Sequence, residues 1–334
     1  MEASHWLPVV FICLMGLALF IYAILDGYDL GVGILLPLKE DKQQQRDIMI
    51  ASIGPFWDAN ETWLVLAVGI LLIAFPDAYN FILAELYIPA TLMLLGIILR
   101  GVAFDFRTKA TTGHRPLWDR SFKFGSLLMA LSQGYMLGQY VMGFQHDTGS
   151  VIFSIISALC VTAAYAFVGG GWLVMKTQGE LQITAARLTR IAAWLTALGI
   201  FLVSAVNPLV SENVSDRWFT FPQFFVLFPI PLLCAGLFIY VDRYLAHFPH
   251  ANDFACWSPF SSAVTIFFLS FQGLAYSFYP YVIPGKLDIW QAASSEESLM
   301  FIFYGVIVVV PFILLYTAFS YRVFWGKARK LEYY

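Results

Sequence analysis

The chain has 334 residues; 60% are hydrophobic, 17% aromatic and only 12% charged, with a formal net charge of −3. Soluble domains carry about 25% charged residues, so the composition excludes a soluble globular protein, and the slight acidic balance gives nothing that points to a nucleic-acid partner. The four cysteines have no metal-ligand spacing, and Cys13, Cys160 and Cys234 lie inside apolar runs, where they read as small core residues. Met1 to Trp6 carries no basic run and no small-residue cleavage site follows, so the first apolar run is expected to stay in the mature protein.

A membrane helix needs about 20 largely apolar residues. The sequence predicts nine, an all-α polytopic protein forming one integral membrane domain: 6–25 with an extension to 36, 50–75, 80–104, 122–144, 151–175, 188–206, 219–240, 258–278 and 299–323. The first run, Trp6 to Leu25, has no charge and leads into Asp26-Gly-Tyr-Asp-Leu-Gly-Val-Gly33. Two readings of that stretch stand side by side. Either the helix ends at Leu25 and the acids are solvated, or it continues and the acids sit at membrane depth. There a carboxylate costs about 2.5–3.5 kcal/mol and usually marks an ion or proton path.

The second run carries Gly54-Pro-Phe-Trp-Asp-Ala-Asn-Glu-Thr-Trp63. A helix starting near Thr62 would leave too short a span before Phe75, so Asp58 and Glu61 are placed inside the membrane region. Three apart, they share one helix face. At 1.5 Å per residue they lie roughly 12–17 Å in from residue 50. The third run ends at Arg100, which reads as a side chain that snorkels or supports the acids, and Asp105, which reads first as a solvated or salt-bridged end residue.

Orientation follows from the basic residues. The loops after helices 1, 3, 5 and 7 and the C-terminal tail, with Arg100 and Lys123 at adjoining span ends, hold all of the 19 Lys and Arg except Arg217 and Lys286. This predicts a periplasmic N-terminus and a cytoplasmic C-terminus, which requires an odd number of spans. Helices 1–4 and 5–8 are expected to form two four-helix bundles with helix 9 appended. The internal echo is faint: glycines cluster at the inner ends of helices 1 (Gly27, Gly31, Gly33) and 5 (Gly169, Gly170, Gly171). In this orientation Asp26, Asp29, Asp58, Arg100 and Asp105 share the cytoplasmic half, with Glu61 just deeper. A chain of carboxylates there is what proton uptake requires. The five histidines, His5, His114, His146, His247 and His250, all fall in loops or at span edges. The chain therefore lacks the usual axial ligands of a membrane haem, and no metal site is expected on it.

Three blocks, Leu25 to Gly33, Gly54 to Leu64, and Tyr79 to Leu86 with Arg100-Gly-Val-Ala-Phe-Asp-Phe-Arg107, resemble subunit II of the cytochrome bd ubiquinol oxidases. Length and compact loops are similar to the cyanide-insensitive branch. The resemblance implies a bacterial inner-membrane heterodimer, with tiny single-helix accessory subunits in some members. The haem-bearing subunit I holds two b-type haems and a d-type haem or its b-type replacement, oxidises ubiquinol and reduces dioxygen to water. Subunit II holds no haem, supports subunit I and contributes acids to a cytoplasmic proton route; in some members it binds a structural quinone in a lipid-facing groove. Carried onto this chain, the resemblance makes Asp58 the first choice for the relay, then Asp26 and Asp105, with Glu61, Asp29, Trp57 and Arg100 supporting. A stand-alone proton- or cation-coupled transporter is the alternative, with its site at the broken helix from Asp26 to Gly33; a purely structural partner is the third reading.

Overall fold

The computed structural model describes residues 6–109, 113–210, 215, 218–221 and 223–328. The first helix, α1 (Trp6–Leu35), runs unbroken for 30 residues through all three glycines. At 1.5 Å per residue it is about 45 Å long, more than the ~30 Å hydrocarbon layer. The helix therefore does not end at Leu25. Every residue from Asp26 to Gly33 is buried, so neighbouring helices surround this segment on all sides.

The expected single span 50–75 is two helices, α2 (Gln43–Ile53) and α3 (Trp57–Ala74). Pro55 in the intervening turn has no N–H to offer and its ring opposes a continuous helix. Two further helices outrun their expected limits of 104 and 122: α4 (Pro76–Lys109) and α5 (Arg115–Val141). The cause is a buried ion cluster that ties both to α2. Arg107 Nη2 lies 2.6 Å from Asp47 Oδ1, and its Nε bonds Asp119 Oδ1. Arg46 Nε lies 2.8 Å from Asp119 Oδ2. Arg46 Nη1 also donates to the carbonyls of Pro37 and Lys39, which fastens the loop after α1 to the same cluster. Two arginines and two aspartates balance in charge, the condition under which such groups can leave water.

The chain continues through α6 (Thr148–Lys176), α7 (Gly179–Val210), a short α8 (Gln223–Leu227), α9 (Pro229–Ala246) and α10 (Ser258–Phe278). Span 219–240 is thus shifted to Pro229–Ala246; Arg217 lies outside the described residues, as do His5, Arg329 and Lys330. An antiparallel pair, β1 (Tyr281–Ile283) and β2 (Leu287–Asp288), precedes the last helix, α11 (Glu296–Val323). Val282, Ile283 and Ile289 around this pair pack on Leu7, Phe11 and Phe75, closing that end of the bundle. Among the described residues eight helices are long and apolar enough to cross a membrane. Besides the short α2 and α8, the helix outside these eight is α5, whose first turns carry Arg115, Asp119, Arg120 and Lys123. Helix α1 sits at the centre, against α3, α5, α6 and α10, while α7 and α9 flank the far side of α6.

Asp147 caps α6: its carboxylate accepts from the Ser150 hydroxyl and from the backbone N–H groups of Ser150 and Gly149. The Ser150 bonds, chiefly, hold its pKa below the ordinary value. A depressed carboxylate contributes stability above its unfolded pKa, near 4, and loses it as pH falls through the folded value. Amide exchange at Gly149 and Ser150 is therefore expected to accelerate below pH ~4 relative to mid-helix amides. Unchanged relative protection there would show that the cap does not hold this helix end.

Candidate functional site

Within this frame Arg100 lies fully buried on α4. It does not snorkel. Its Nη1 is 2.6 Å from Asp26 Oδ1 and 3.3 Å from Glu61 Oε1, and its Nη2 is 3.9 Å from Asp29 Oδ2. Trp57 presents its ring 5.9 Å from the guanidinium carbon, a favourable cation–π position. Asp26 and Asp29 are themselves fully buried, whereas Glu61 keeps 18% of its side chain exposed. One guanidinium thus faces three carboxylates from two helices. Around the pair, Arg100 Nε and Nη2, Asp26 Oδ2 and Asp29 Oδ1 are buried without a hydrogen-bond partner among the described residues.

Helix geometry explains which expected acids join the cluster. At about 100° per residue, Asp58 and Asn60 point to nearly opposite sides of α3, and Glu61 falls between them. Asn60 is the residue that faces α1. It is buried, and its Nδ2 donates to Asp29 Oδ2 at 2.7 Å and reaches Tyr28 Oη at 3.1 Å. Asp58, the first choice from the sequence, stands in the first turn of α3 with its side chain exposed on the outer face of the chain. It is one turn from Glu61 but not deep within a span, because α3 begins only at Trp57. Asp105 is also exposed, on the last turns of α4. Asp26, Asp29, Glu61, Arg100 and Trp57 are brought together. Asn60 and Tyr28 were not foreseen; their one sequence signal was a polar amide and a phenol inside the two acidic motifs.

A second concave feature lies between α4, α5 and α6, a groove of about 640 Å³ whose polar lining includes Ser132, Tyr135 and Gln139. At its rim His146 Nε2 is 3.0 Å from Glu85 Oε2. His114, His146 and His247 sit at helix ends and His250 between helices. No group of three metal-ligating side chains occurs among the described residues.

The fold and site define a multi-pass helical membrane subunit organised around a buried arginine and its carboxylates. A family model for cytochrome bd terminal oxidase subunit II matches residues 7–324, and the chain belongs to that family. It is 30% identical to cytochrome bd-I ubiquinol oxidase subunit 2 of Escherichia coli K12, over 95% of this chain and 94% of that protein. It is 26% identical to cytochrome bd ubiquinol oxidase subunit 2 of Bacillus subtilis 168, over 97% and 96% respectively. The solved bd oxidase of Geobacillus thermodenitrificans has the same fold, with a TM-score of 0.79 at 18% identity, covering 95% of this chain and 98% of that one. Family membership decides for the oxidase subunit over the transporter.

Proposed function

We propose that this chain is the non-haem subunit of a bacterial inner-membrane quinol:oxygen oxidoreductase, and that its acid cluster takes up protons from the cytoplasm for dioxygen reduction in subunit I. The observation that carries the proton role is the stoichiometry at Arg100: three carboxylates face one guanidinium. The cluster has acid groups in excess of its resident cation. It can load and release a proton while the Asp26–Arg100 pair stays intact. The unsatisfied atoms around that pair are where water would bridge one group to the next. Glu61 joins the two ends of this path, touching Arg100 on one side and lying one turn from exposed Asp58 on the other.

Asp58 stands exposed in the first turn of α3, at the end of the span, and is the group through which the cluster meets water. Subunit I covers the Trp57–Asp58 face, and the haems and ubiquinol oxidation belong to that partner. Nine spans, with α5 as the ninth, place the two termini on opposite sides, and the basic residues of the loops then put the N-terminus in the periplasm and the cluster near the cytoplasm. The ion cluster of Arg46, Arg107, Asp47 and Asp119 shields the polar half of α5. The groove between α4, α5 and α6 suits a structural quinone, its ring at Tyr135 and Gln139 and its tail in lipid.

Purified complexes carrying Glu61→Gln or Asp58→Asn test the route. Oxygen-reduction turnover is expected to fall by about a hundredfold, the low end of the loss of a proton-transfer group, with haem spectrum and subunit content unchanged. Full turnover in both assembled variants would remove the route and leave the chain a scaffold.

A further inference from the structure

The last helix is loosely attached along most of its length. Only Leu299 and Val310 of α11 are buried, while Phe301, Phe312 and Phe319 stand exposed. Near its end the situation reverses. The Tyr321 ring stacks on Phe56 of the turn before α3, centroids 4.4 Å apart and planes 14° apart. Its hydroxyl lies 2.6 Å from that of Tyr28 and donates to Asn60 Oδ1 at 3.2 Å. Beyond the helix the chain is tied down again. Lys176 Nζ donates to the Phe324 carbonyl at 2.9 Å, Ala328 N to the Lys176 carbonyl at 2.7 Å, and Lys327 Nζ to the Thr177 carbonyl at 3.0 Å.

Donor and acceptor counting gives this contact a direction. Tyr321 spends its one hydroxyl proton on Asn60 Oδ1, so it must accept from Tyr28. Tyr28 then accepts from Asn60 Nδ2. The three side chains close a circuit: Asn60 amide to Tyr28, Tyr28 to Tyr321, Tyr321 to the Asn60 carbonyl oxygen. Together with the Leu25 carbonyl, which Asn60 Nδ2 also reaches at 3.2 Å, the circuit fixes which way the Asn60 amide faces. In this orientation the NH₂ meets Asp29; flipped, its oxygen would oppose the carboxylate.

We infer that Tyr321 is a positioning residue for the acid cluster, holding the Asn60 amide so that it donates to Asp29 and thereby coupling the seating of the C-terminal helix to the state of that carboxylate. The inference rests on the proton-route reading for its effect on turnover, but not for its effect on Asp29. The charged and titratable groups around Asp29 are Arg100 of α4, Asp26 and Tyr28 of α1, Glu61 of α3 and Tyr321 of α11. Tyr321 differs from the rest in reaching it only through Asn60.

The test uses the purified complete oxidase with Tyr321→Phe, which keeps the stack on Phe56 and removes the hydroxyl. Haem content serves as the assembly control. The infrared carboxyl band that disappears in Asp29→Asn is expected to shift in Tyr321→Phe, and turnover to fall about three- to tenfold, the scale of one lost hydrogen bond. Tyr28→Phe breaks the same circuit at another point and is expected to reproduce both changes. In an Asn60→Ala background Tyr321→Phe is expected to add nothing. An unmoved Asp29 band in assembled Tyr321→Phe and Tyr28→Phe complexes would overturn the inference. A shifted band with unchanged turnover would uphold the positioning and count against the proton route instead.

Discussion

Arg100→Ala is expected to abolish accumulation of the assembled oxidase rather than merely slow it. The side chain is fully buried and is the cation that Asp26, Asp29 and Glu61 share. Removing one partner of a buried ion pair destabilises by about 3–5 kcal/mol, because the charge left behind has neither water nor a counter-ion. Here three acids are stranded, against a net stability of only about 5–15 kcal/mol for a typical fold. The measurement is the haem spectrum of membranes together with the amount of this chain in them. Both are expected to drop sharply. Arg100→Lys keeps the charge but lacks the planar fork that serves Asp26 and Asp29 through different nitrogens, so an intermediate loss is expected. Adding Asp26→Asn to Arg100→Ala removes one stranded acid and is expected to recover part of the complex. Wild-type haem content in Arg100→Ala would show that the guanidinium is dispensable and that the acids are carried neutral.

That expectation could not have been formed from the sequence, and the reason is geometric. Composition fixes the all-helical membrane class, and the motifs bring the right residues forward: Asp26, Asp29, Glu61, Arg100 and Trp57 all belong to the cluster. What the sequence does not reveal is rotation about each helix axis. Asp58 and Asn60 are two apart, so when one faces α1 the other faces away. Charge drew attention to Asp58, while the neutral amide makes the bond to Asp29. The break at Gly54-Pro55 also sets where α3 starts, and a start at Trp57 moves Asp58 to a helix end. Tyr321 is invisible for a different reason. It meets Tyr28 across 293 residues of chain, and nothing local marks it. In the sequence Arg46, Asp47, Arg107 and Asp119 fall outside the apolar runs, because each charge alone argues for water. Only pairing across α2, α4 and α5 lets those helices extend.

The glycine echo between the first and sixth helices has a better explanation than internal duplication: the two clusters touch. A Cβ at Gly31 would run into the carbonyl oxygen of Tyr165, and would lie 2.7 Å from the Tyr165 carbonyl carbon and 2.9 Å from Gly169 Cα. A Cβ at Gly169 would in turn fall 2.6 Å from Gly31 Cα. These obstacles are backbone, so no side chain can rotate aside, and α1 and α6 could accept a methyl group only by moving apart. Separation would also open the stack of Tyr28 on Trp172, whose centroids are 4.1 Å apart, and with it the circuit that orients Asn60. Gly31→Ala is therefore expected to destabilise the complex by about 3 kcal/mol, the upper end of ordinary overpacking. The readout is a lower temperature for loss of the haem spectrum on heating and reduced turnover in what survives. Gly236→Ala on α9 is the control. Nothing lies within 4 Å of its added Cβ, and alanine is the better helix former by about 1 kcal/mol, so that variant is expected to be at least as stable as the parent. Equal behaviour of the two variants would mean that α1 and α6 are not in backbone contact, and the position of Asp26 and Asp29 beside Arg100 would then need another cause.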